Sequence, residues 1–392
     1  MSRSGKGFIL NNSKLRIARI ATVPFFLDNQ LRSQMGHLVE KGFSVTAISS
    51  IEGNWERLYE TEGLDCVQID IAREPALLKD LASLYKLYRL FREAEFDVMH
   101  STTPKAGLLC AIASFLARTP IRMHTFTGQV WSTKKGMARW VLRLFDKCIV
   151  LLNTQCYADS ESQKQFLIEQ GVANNSGIKV LGEGSIAGVD LERFNKEKWL
   201  PSVIQTKKEL GINDGDFVLV FIGRLSGEKG IYELMEAFSQ LKIKYTHLHL
   251  ILIGPCEENK ISKNLIEWQK IDKLHYMGQI TEPEKYLCVS NLLCLPSYRE
   301  GFGTVVIEAA AMAVPTVGTD TIGLKDAIKD GESGVLVEAQ NAISLANELE
   351  SLIKDEDRCN QLGEKSFRRC RNNYDAKRMS DLVAKEYDLM QL

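Results

Sequence analysis

The 392-residue sequence predicts an α/β fold of two doubly wound, Rossmann-like parallel-sheet domains in tandem, with a cleft between them. Three observations carry this reading. Short apolar, β-branched runs alternate with longer helical patterns through the first half, as in sheets covered by helices on both faces. The same alternation restarts after the Asn213-Asp214-Gly215 turn. The length also suits two domains at roughly 100–200 residues each.

In chain order, 15–23 reads as a first strand, 30–41 as a helix and 44–49 as a second strand. Residues 77–94 keep apolar residues at helical spacing. A short buried strand at 98–100, a helix at 105–116, a strand at 122–125 and a helix at 137–144 follow. The β-branched run 147–152 reads as a strand and 160–170 as a helix. Residues 182–201 are poor in pattern and contain Gly182, Gly184 and Gly188, so they read as an interdomain linker. In the second half, strands are expected at 217–222, 248–253, 292–296 and 315–318. Helices are expected at 230–241, 304–312, 343–352, 362–371 and 376–390. In such sheets ligands bind beyond the carboxyl ends of the strands.

Two strand–glycine–helix junctions carry the chemistry. In the first, Pro296-Ser297-Tyr298-Arg299-Glu300-Gly301-Phe302-Gly303 leads into a helix near Thr304. Gly301 and Gly303 let backbone approach a ligand closely, and the helix start offers unpaired N–H groups to a phosphate. Glu300 and Glu308 can address two hydroxyl-bearing groups of one ligand; a helix cap and a solvated surface charge would read the same way. In the second, Gly223-Arg224 and Lys229-Gly230 place two cations at the end of strand 217–222. Such cations can hold a diphosphate and stabilise charge on a leaving group. Neither junction is a Walker loop, and Val306 stands where a dinucleotide fingerprint needs its third glycine, which disfavours a dehydrogenase.

With these residues together, the second half resembles the retaining glycosyltransferases of the GT-B fold, family 4 (glycosyl transferases group 1). The match runs from Phe217 to about Val337. It includes Gly223-Arg224, Lys229-Gly230, Leu252-Ile253-Gly254, Tyr276-Met277-Gly278, the Glu-x7-Glu pair Glu300/Glu308 and Gly331-x-x-Gly334. The resemblance implies that Arg224 and Lys229 grip the donor diphosphate, Glu300 contacts the donor sugar and Glu308 the ribose. It implies that the loop after Gly278, around Gln279 and Ile280, flanks the base, with Gly223, Gly301, Phe302, Gly303 and Thr304 completing the donor site. The catalytic set is Arg224, Lys229 and Glu300. No metal and no cofactor are implied, and Asp214-Gly215-Asp216 reads as a turn.

The first half resembles the family more loosely, through Asp97-Val98-Met99-His100, Thr103-Pro104-Lys105-Ala106-Gly107, Ser160-Glu161-Ser162 and Gly188-Val189-Asp190. It departs from it where Val23-Pro24-Phe25-Phe26 replaces a glycine-rich loop and where Thr127 replaces a histidine before Gly128. His124, Thr127, Gly128 and Lys105 are expected on the acceptor and donor-sugar side. The resemblance implies domains at 1–190 (acceptor side) and 191–375 (donor side), with 376–392 crossing back to the first. The implied reaction transfers a hexose or N-acetylhexosamine, with UDP favoured, to a polyprenyl-diphosphate-linked oligosaccharide of bacterial surface-polysaccharide assembly. A nucleotide-sugar epimerase or hydrolase of the same fold and a non-catalytic sugar-nucleotide scaffold are the alternatives.

Composition bounds the setting. At 45% hydrophobic and 25% charged, with a net charge of −1, the chain is neither disordered nor a general nucleic-acid binder. Residues 1–195 hold 24 Lys/Arg against 20 Asp/Glu, and 196–392 hold 25 against 30, so the halves carry +4 and −5. The nine cysteines form no CxxC pair, which suggests small core residues in a reducing cytoplasm. The polar start, with only 8–10 apolar, does not read as a signal peptide. The longest apolar run, 106–117, falls short of the roughly 20 residues a membrane span needs. On segment 134–147, Met137, Trp140, Val141, Leu144 and Phe145 share a helical face, expected to pack on the sheet. Lys134, Lys135, Arg139, Arg143 and Lys147 form a basic fringe for peripheral contact with an anionic membrane at its cytoplasmic face.

Overall fold

The computed structural model describes residues 15–390; the polar N-terminal stretch read above lies outside the described residues. The first sheet is built from β1 (Arg16–Ile20), β2 (Ser44–Ser49), β3 (Leu64–Gln68), β4 (Val98–Thr102), β5 (Ile121–Phe126), β6 (Gln155–Ala158) and β7 (Ile178–Lys179), in the order β3-β2-β1-β4-β5-β6-β7. The second comprises β8 (Phe217–Ile222), β9 (Leu248–Ile253), β10 (Leu274–Gly278), β11 (Leu292–Leu295), β12 (Thr316–Thr319) and β13 (Gly334–Val337), in the order β10-β9-β8-β11-β12-β13. The first strand of each sheet lies inside it and the strands run outward from it, the doubly wound order expected of parallel sheets. Every residue of β4, β9, β11 and β12 is buried, and β9 and β11 accordingly read as nearly continuous apolar runs.

The chain divides into two units. One runs through Met123 and takes in Leu152–Thr154; the other comprises His124–Leu151 and everything from Gln155 onward. The first unit centres on Ile20, Ile48, Leu87, Phe91, Met99 and Cys110. The second has one large core through β8, β9, β11 and β12 and the helices Ile231–Lys244, Thr304–Ala311 and Ala342–Lys354. Its last helix, Ala376–Leu389, runs back to β6, where Tyr157 Oη donates to Glu386 Oε2 at 2.6 Å.

Several expectations need correction. Residues 147–152 are the end of the Gly136–Leu152 helix, and the strand expected there is β6, beyond Asn153 and Thr154. The apolar spacing inherited from Val141 outweighs the β-branched pair Ile149 and Val150. The tail of the linker stretch is already helical: Lys196–Leu210 starts at Asn195, whose side chain accepts from Glu197 N–H at 3.0 Å, and carries Pro201 inside it. The helix expected at 30–41 begins as a wider turn at Leu27–Leu31 before Arg32–Glu40. The strands β3, β7, β10 and β13, not foreseen, all lie at sheet edges.

The apolar stripe of the Gly136–Leu152 helix does not pack on the sheet. Met137, Trp140, Leu144 and Phe145 are exposed, at 75%, 57%, 42% and 40%. The buried residues are Asp146 and Ile149. Trp131 fills the space beneath: its ring stacks on Phe166 at 5.1 Å and its Nε1 donates to Asp146 Oδ2 at 2.7 Å. Burial pushes the Asp146 carboxyl up to about 7, against the pull of that hydrogen bond. Among the described residues, no helix is long and apolar enough to cross a membrane.

Candidate active site

At the end of β8 the chain turns sharply. Gly254, at φ +136°, sits so close to the Gly223 carbonyl that a Cβ would lie 1.9 Å from it. Leu225 N–H donates to Pro255 O at 2.9 Å, which ties the ends of β8 and β9 together and leaves Arg224 projecting between them. A tight turn at Gly227–Lys229 follows. Gly230 closes it in the left-handed region (φ +70°), and a Cβ there would lie 2.0 Å from the Pro296 carbonyl. Only glycine permits that approach, and the approach sets Lys229 beside the second junction.

The second junction is held just as firmly. Glu300 N–H donates to Ile322 O at 3.3 Å, and Ser160 Oγ to Gly301 O at 2.8 Å. A Cβ on Gly301 would lie 2.5 Å from the Thr127 carbonyl, so the loop rests directly on the Thr127-Gly128 backbone. The helix Thr304–Ala311 starts from Gly303 (φ +91°) with no side-chain cap, which leaves its first N–H groups for a ligand. Glu300 therefore is no helix cap. Its carboxylate pairs with the Lys229 ammonium instead.

These loops enclose a cavity of about 180 Å³ lined by Thr127, Arg224, Glu228, Lys229, Arg299, Glu300 and Gly301. Each cation on its wall is paired with a carboxylate. Arg224 bonds Glu257 at 2.9 Å, Arg299 bonds Glu228 at 2.7 Å, and Lys229 holds Glu300. Thr133 Oγ1 donates to the other oxygen of Glu228 at 3.0 Å. Burial alone would raise the Glu228 carboxyl, but Arg299, Thr133 and Lys134 together hold it below its ordinary value. Such a site can exchange its carboxylates for phosphate oxygens with little rearrangement.

Of the residues expected here, Arg224, Lys229, Glu300, Gly301 and Thr127 line the cavity, and Gly128 packs against Gly301. Gly223 shapes the turn, and Phe302 is buried against Tyr374 with ring centroids 5.2 Å apart, so only its backbone can face a ligand. Thr304 is half-buried at the helix start, where its N–H is among those left uncapped. Gly278 (φ +65°) ends β10; Gln279 beyond it is exposed and Ile280 half-buried. Glu308 stands apart from the cavity wall and is half-buried rather than a solvated surface charge. Burial pushes its carboxyl up to about 7; Arg193 pulls it down and Glu284 pushes it up.

Two expected residues are not brought into the cavity. His124 is buried beside Phe126, with ring centroids 4.6 Å apart, and burial pushes its imidazole down to about 3. Buried within β5, it is not among the residues that line the cavity. Lys105 belongs to the other unit, where it pairs with Asp80 at 2.6 Å and donates to Glu74 O at 2.6 Å. Sequence reasoning passed over Glu228, Arg299, Thr133 and Glu257. The first two lie inside the quoted junctions, and their charge next to a glycine turn was the available signal.

The Asp-x-Asp stretch lies at the opposite end of β8. Asp214 pairs with Lys207 at 3.1 Å. Asp216 Oδ2 meets His249 Nε2 at 2.9 Å and Lys273 Nζ at 3.3 Å. His249 Nδ1 in turn meets His275 Nε2 at 3.0 Å, with the two rings stacked.

Comparison with known proteins shows the family. Residues 202–369 match the family model for glycosyl transferases group 1, and 28–181 match a glycosyl transferase 4-like domain. The capsular polysaccharide biosynthesis glycosyltransferase CapM of Staphylococcus aureus is 33% identical over 88% of this chain and 89% of its own length. The UDP-Gal:alpha-D-GlcNAc-diphosphoundecaprenol alpha-1,3-galactosyltransferase of Escherichia coli is 24% identical over 88% and 89%. Among solved structures, Anabaena HepE in complex with UDP and glucose superposes with a TM-score of 0.78 at 18% identity, covering 95% of this chain and 99% of that one. With both halves matched in order and a relative at this identity spanning most of both chains, the chain belongs to the glycosyl transferases group 1 family and is a glycosyltransferase of GT-B type.

Proposed function

We propose that this enzyme is a retaining transferase that moves a hexose or N-acetylhexosamine from a UDP-sugar to a sugar hydroxyl of a polyprenyl-diphosphate-linked oligosaccharide in surface-polysaccharide assembly. The observation that carries the reading is the cavity in which Arg224 and Lys229 sit opposite Glu300, each already paired with a carboxylate. A donor diphosphate entering there competes for both cations and frees Glu300 to accept a hydroxyl of the sugar. The uncapped helix start at Thr304 adds N–H groups to the phosphate. Glu308 takes the ribose and the loop after Gly278 takes the base. Residues 191–375 hold the donor, and residues 1–190 serve the acceptor. The E. coli relative's UDP-Gal donor and diphosphoundecaprenol-linked acceptor support that choice of substrate class.

In the reaction, the bond between the sugar's anomeric carbon and the leaving phosphate oxygen breaks on the face where the acceptor oxygen bonds. The acceptor proton passes to that phosphate oxygen. Arg224 and Lys229 stabilise the departing charge, and catalysis rests on this and on positioning. The exposed Met137, Trp140, Leu144 and Phe145, with Lys134, Lys135 and Arg143 nearby, favour peripheral contact with an anionic leaflet carrying the acceptor.

The test is incubation with UDP-sugars and a polyprenyl-diphosphate-linked acceptor, with product stereochemistry read by NMR. An α-linked product from an α-linked donor, and little donor turnover without acceptor, is the expected result. Free sugar or an epimerised nucleotide from donor alone would favour the hydrolase or epimerase alternative.

A further inference from the structure

The Gly188-Val189-Asp190 stretch is a sequence feature that the cavity leaves unused. Gly188 is left-handed (φ +67°), and a Cβ there would lie 2.4 Å from the Tyr374 carbonyl. Val189 N–H donates to Tyr374 O at 2.7 Å, and Ala376 N–H to Val189 O at 2.9 Å. Asp190 Oδ1 then accepts from the N–H groups of Glu192 at 3.0 Å and Arg193 at 3.1 Å. Trp199 Nε1 donates to the Arg193 carbonyl at 3.2 Å. The backbone at Arg193 is thereby fixed on both sides.

Its guanidinium spans to a distant segment. Arg193 Nε donates to Glu284 Oε1, and its terminal nitrogen donates to Thr281 O at 3.0 Å. Thr281 and Glu284 bracket the turn that follows Gly278, Gln279 and Ile280. Glu284 is buried, and its second oxygen has no hydrogen-bond partner. Desolvation offsets most of the attraction in a buried pair of this kind, so the pair fixes geometry more than it stabilises the fold. Glu308 lies within electrostatic reach of Arg193, Glu284 and the Cys370 thiol.

We propose that Arg193 is a positioning residue for the nucleoside end of the donor site: it pins the 278–284 turn on which the base and ribose of the donor rest. The inference rests on the donor reading given above. Without the Arg193 charge, burial and Glu284 would together push Glu308 further toward its neutral form, a weaker acceptor.

The test titrates wild type, Arg193→Met, Arg193→Lys and the double variant Arg193→Met/Glu284→Gln with UDP and with 2′,3′-dideoxy-UDP, and measures donor KM and kcat separately. Arg193→Met is expected to weaken UDP binding about ten-fold or more, because the turn it pins loosens, and to raise donor KM in step. Its kcat stays within about three-fold of wild type, because the chemistry at the diphosphate is untouched. Wild type favours UDP over the dideoxy analogue, and this preference collapses in Arg193→Met. Arg193→Lys recovers part of the affinity. The double variant removes the uncompensated buried carboxylate and regains thermal stability without regaining affinity. Equal UDP affinity across the set, or weak binding that keeps the wild-type preference over the analogue, overturns the proposal. A wild type that binds no UDP overturns the donor reading itself, before any variant is compared.

Discussion

At the C-terminal end of β8, Arg224, Glu228, Lys229 and Glu300 surround an open cavity, whereas at its N-terminal end Asp216, His249, Lys273 and His275 form a closed polar cluster. Both ends mix acids and bases, yet their chemistry differs. In the closed cluster each group finds its partner inside the protein. Burial would raise the Asp216 carboxyl, but the N–H of Asn213, His249 and Lys273 outweigh it and hold the group at about 2. Burial, with neighbouring His249 second, pushes His275 down to about 4, so the stacked rings stay neutral and share one proton chain. At the open end, Ser226 Oγ, Ser297 Oγ and Arg299 Nε are buried beside the cavity loops without a hydrogen-bond partner. Buried polar atoms are nearly always paired. Ser226, Ser297 and Arg299 belong to the two glycine junctions that border the cavity.

The difference can be broken from either end. The largest effect is expected at the cavity: Lys229→Ala or Arg224→Ala should lower the transfer rate about 100-fold or more, the loss of one charge-stabilising donor. Steady-state product formation reads it, and near-normal turnover would sink the assignment of these cations. Next comes the turn that places Lys229. Gly230→Ala puts a Cβ 2.0 Å from the Pro296 carbonyl at a left-handed position, so urea unfolding should show a loss of about 2 kcal/mol or more along with lost activity. An unchanged midpoint would mean that the junction yields easily and does not set the site.

A smaller effect is expected on the exposed helix. Arg143→Glu combined with Trp140→Ser should weaken flotation with anionic vesicles, by about five-fold for the lost cation alone at roughly 1 kcal/mol, and further for the added carboxylate. Flotation equal to wild type would remove the membrane contact from the reading. The smallest effect belongs to the closed cluster. A histidine with a depressed pKa contributes stability that is present above its unfolded value, near 6.5, and is lost as pH falls toward about 4. His275→Gln should flatten this loss between those two pH values and leave transfer at pH 7.5 unchanged. A variant as acid-sensitive as wild type would show that other groups set the acid limit.

Much of this was legible in the sequence because the informative residues sit where a strand must end and a helix must begin. The two glycine junctions, Arg224, Lys229 and the Glu300/Glu308 pair were visible as residue types at fixed spacing. Strands β2, β8 and β9 were read to the residue: β8 and β9 are nearly continuous apolar runs buried on both faces, and β2 is a β-branched stretch between two serines. What was not legible depends on long-range packing. Trp131 is buried against Phe166 while Met137 and Trp140 are exposed, and only the tertiary structure shows which aromatic residue goes inside. His124 looked available because spacing cannot tell the two faces of a strand that is buried throughout most of its length. Arg193 was invisible because its partners lie 91 and 88 residues away.

A crystal structure of the protein with UDP shows where the donor diphosphate binds. The expected result places the diphosphate within hydrogen-bond reach of Arg224 and Lys229, with Lys229 released from Glu300 and the ribose at Glu308. A diphosphate bound elsewhere, with the Lys229–Glu300 pair intact, would contradict it.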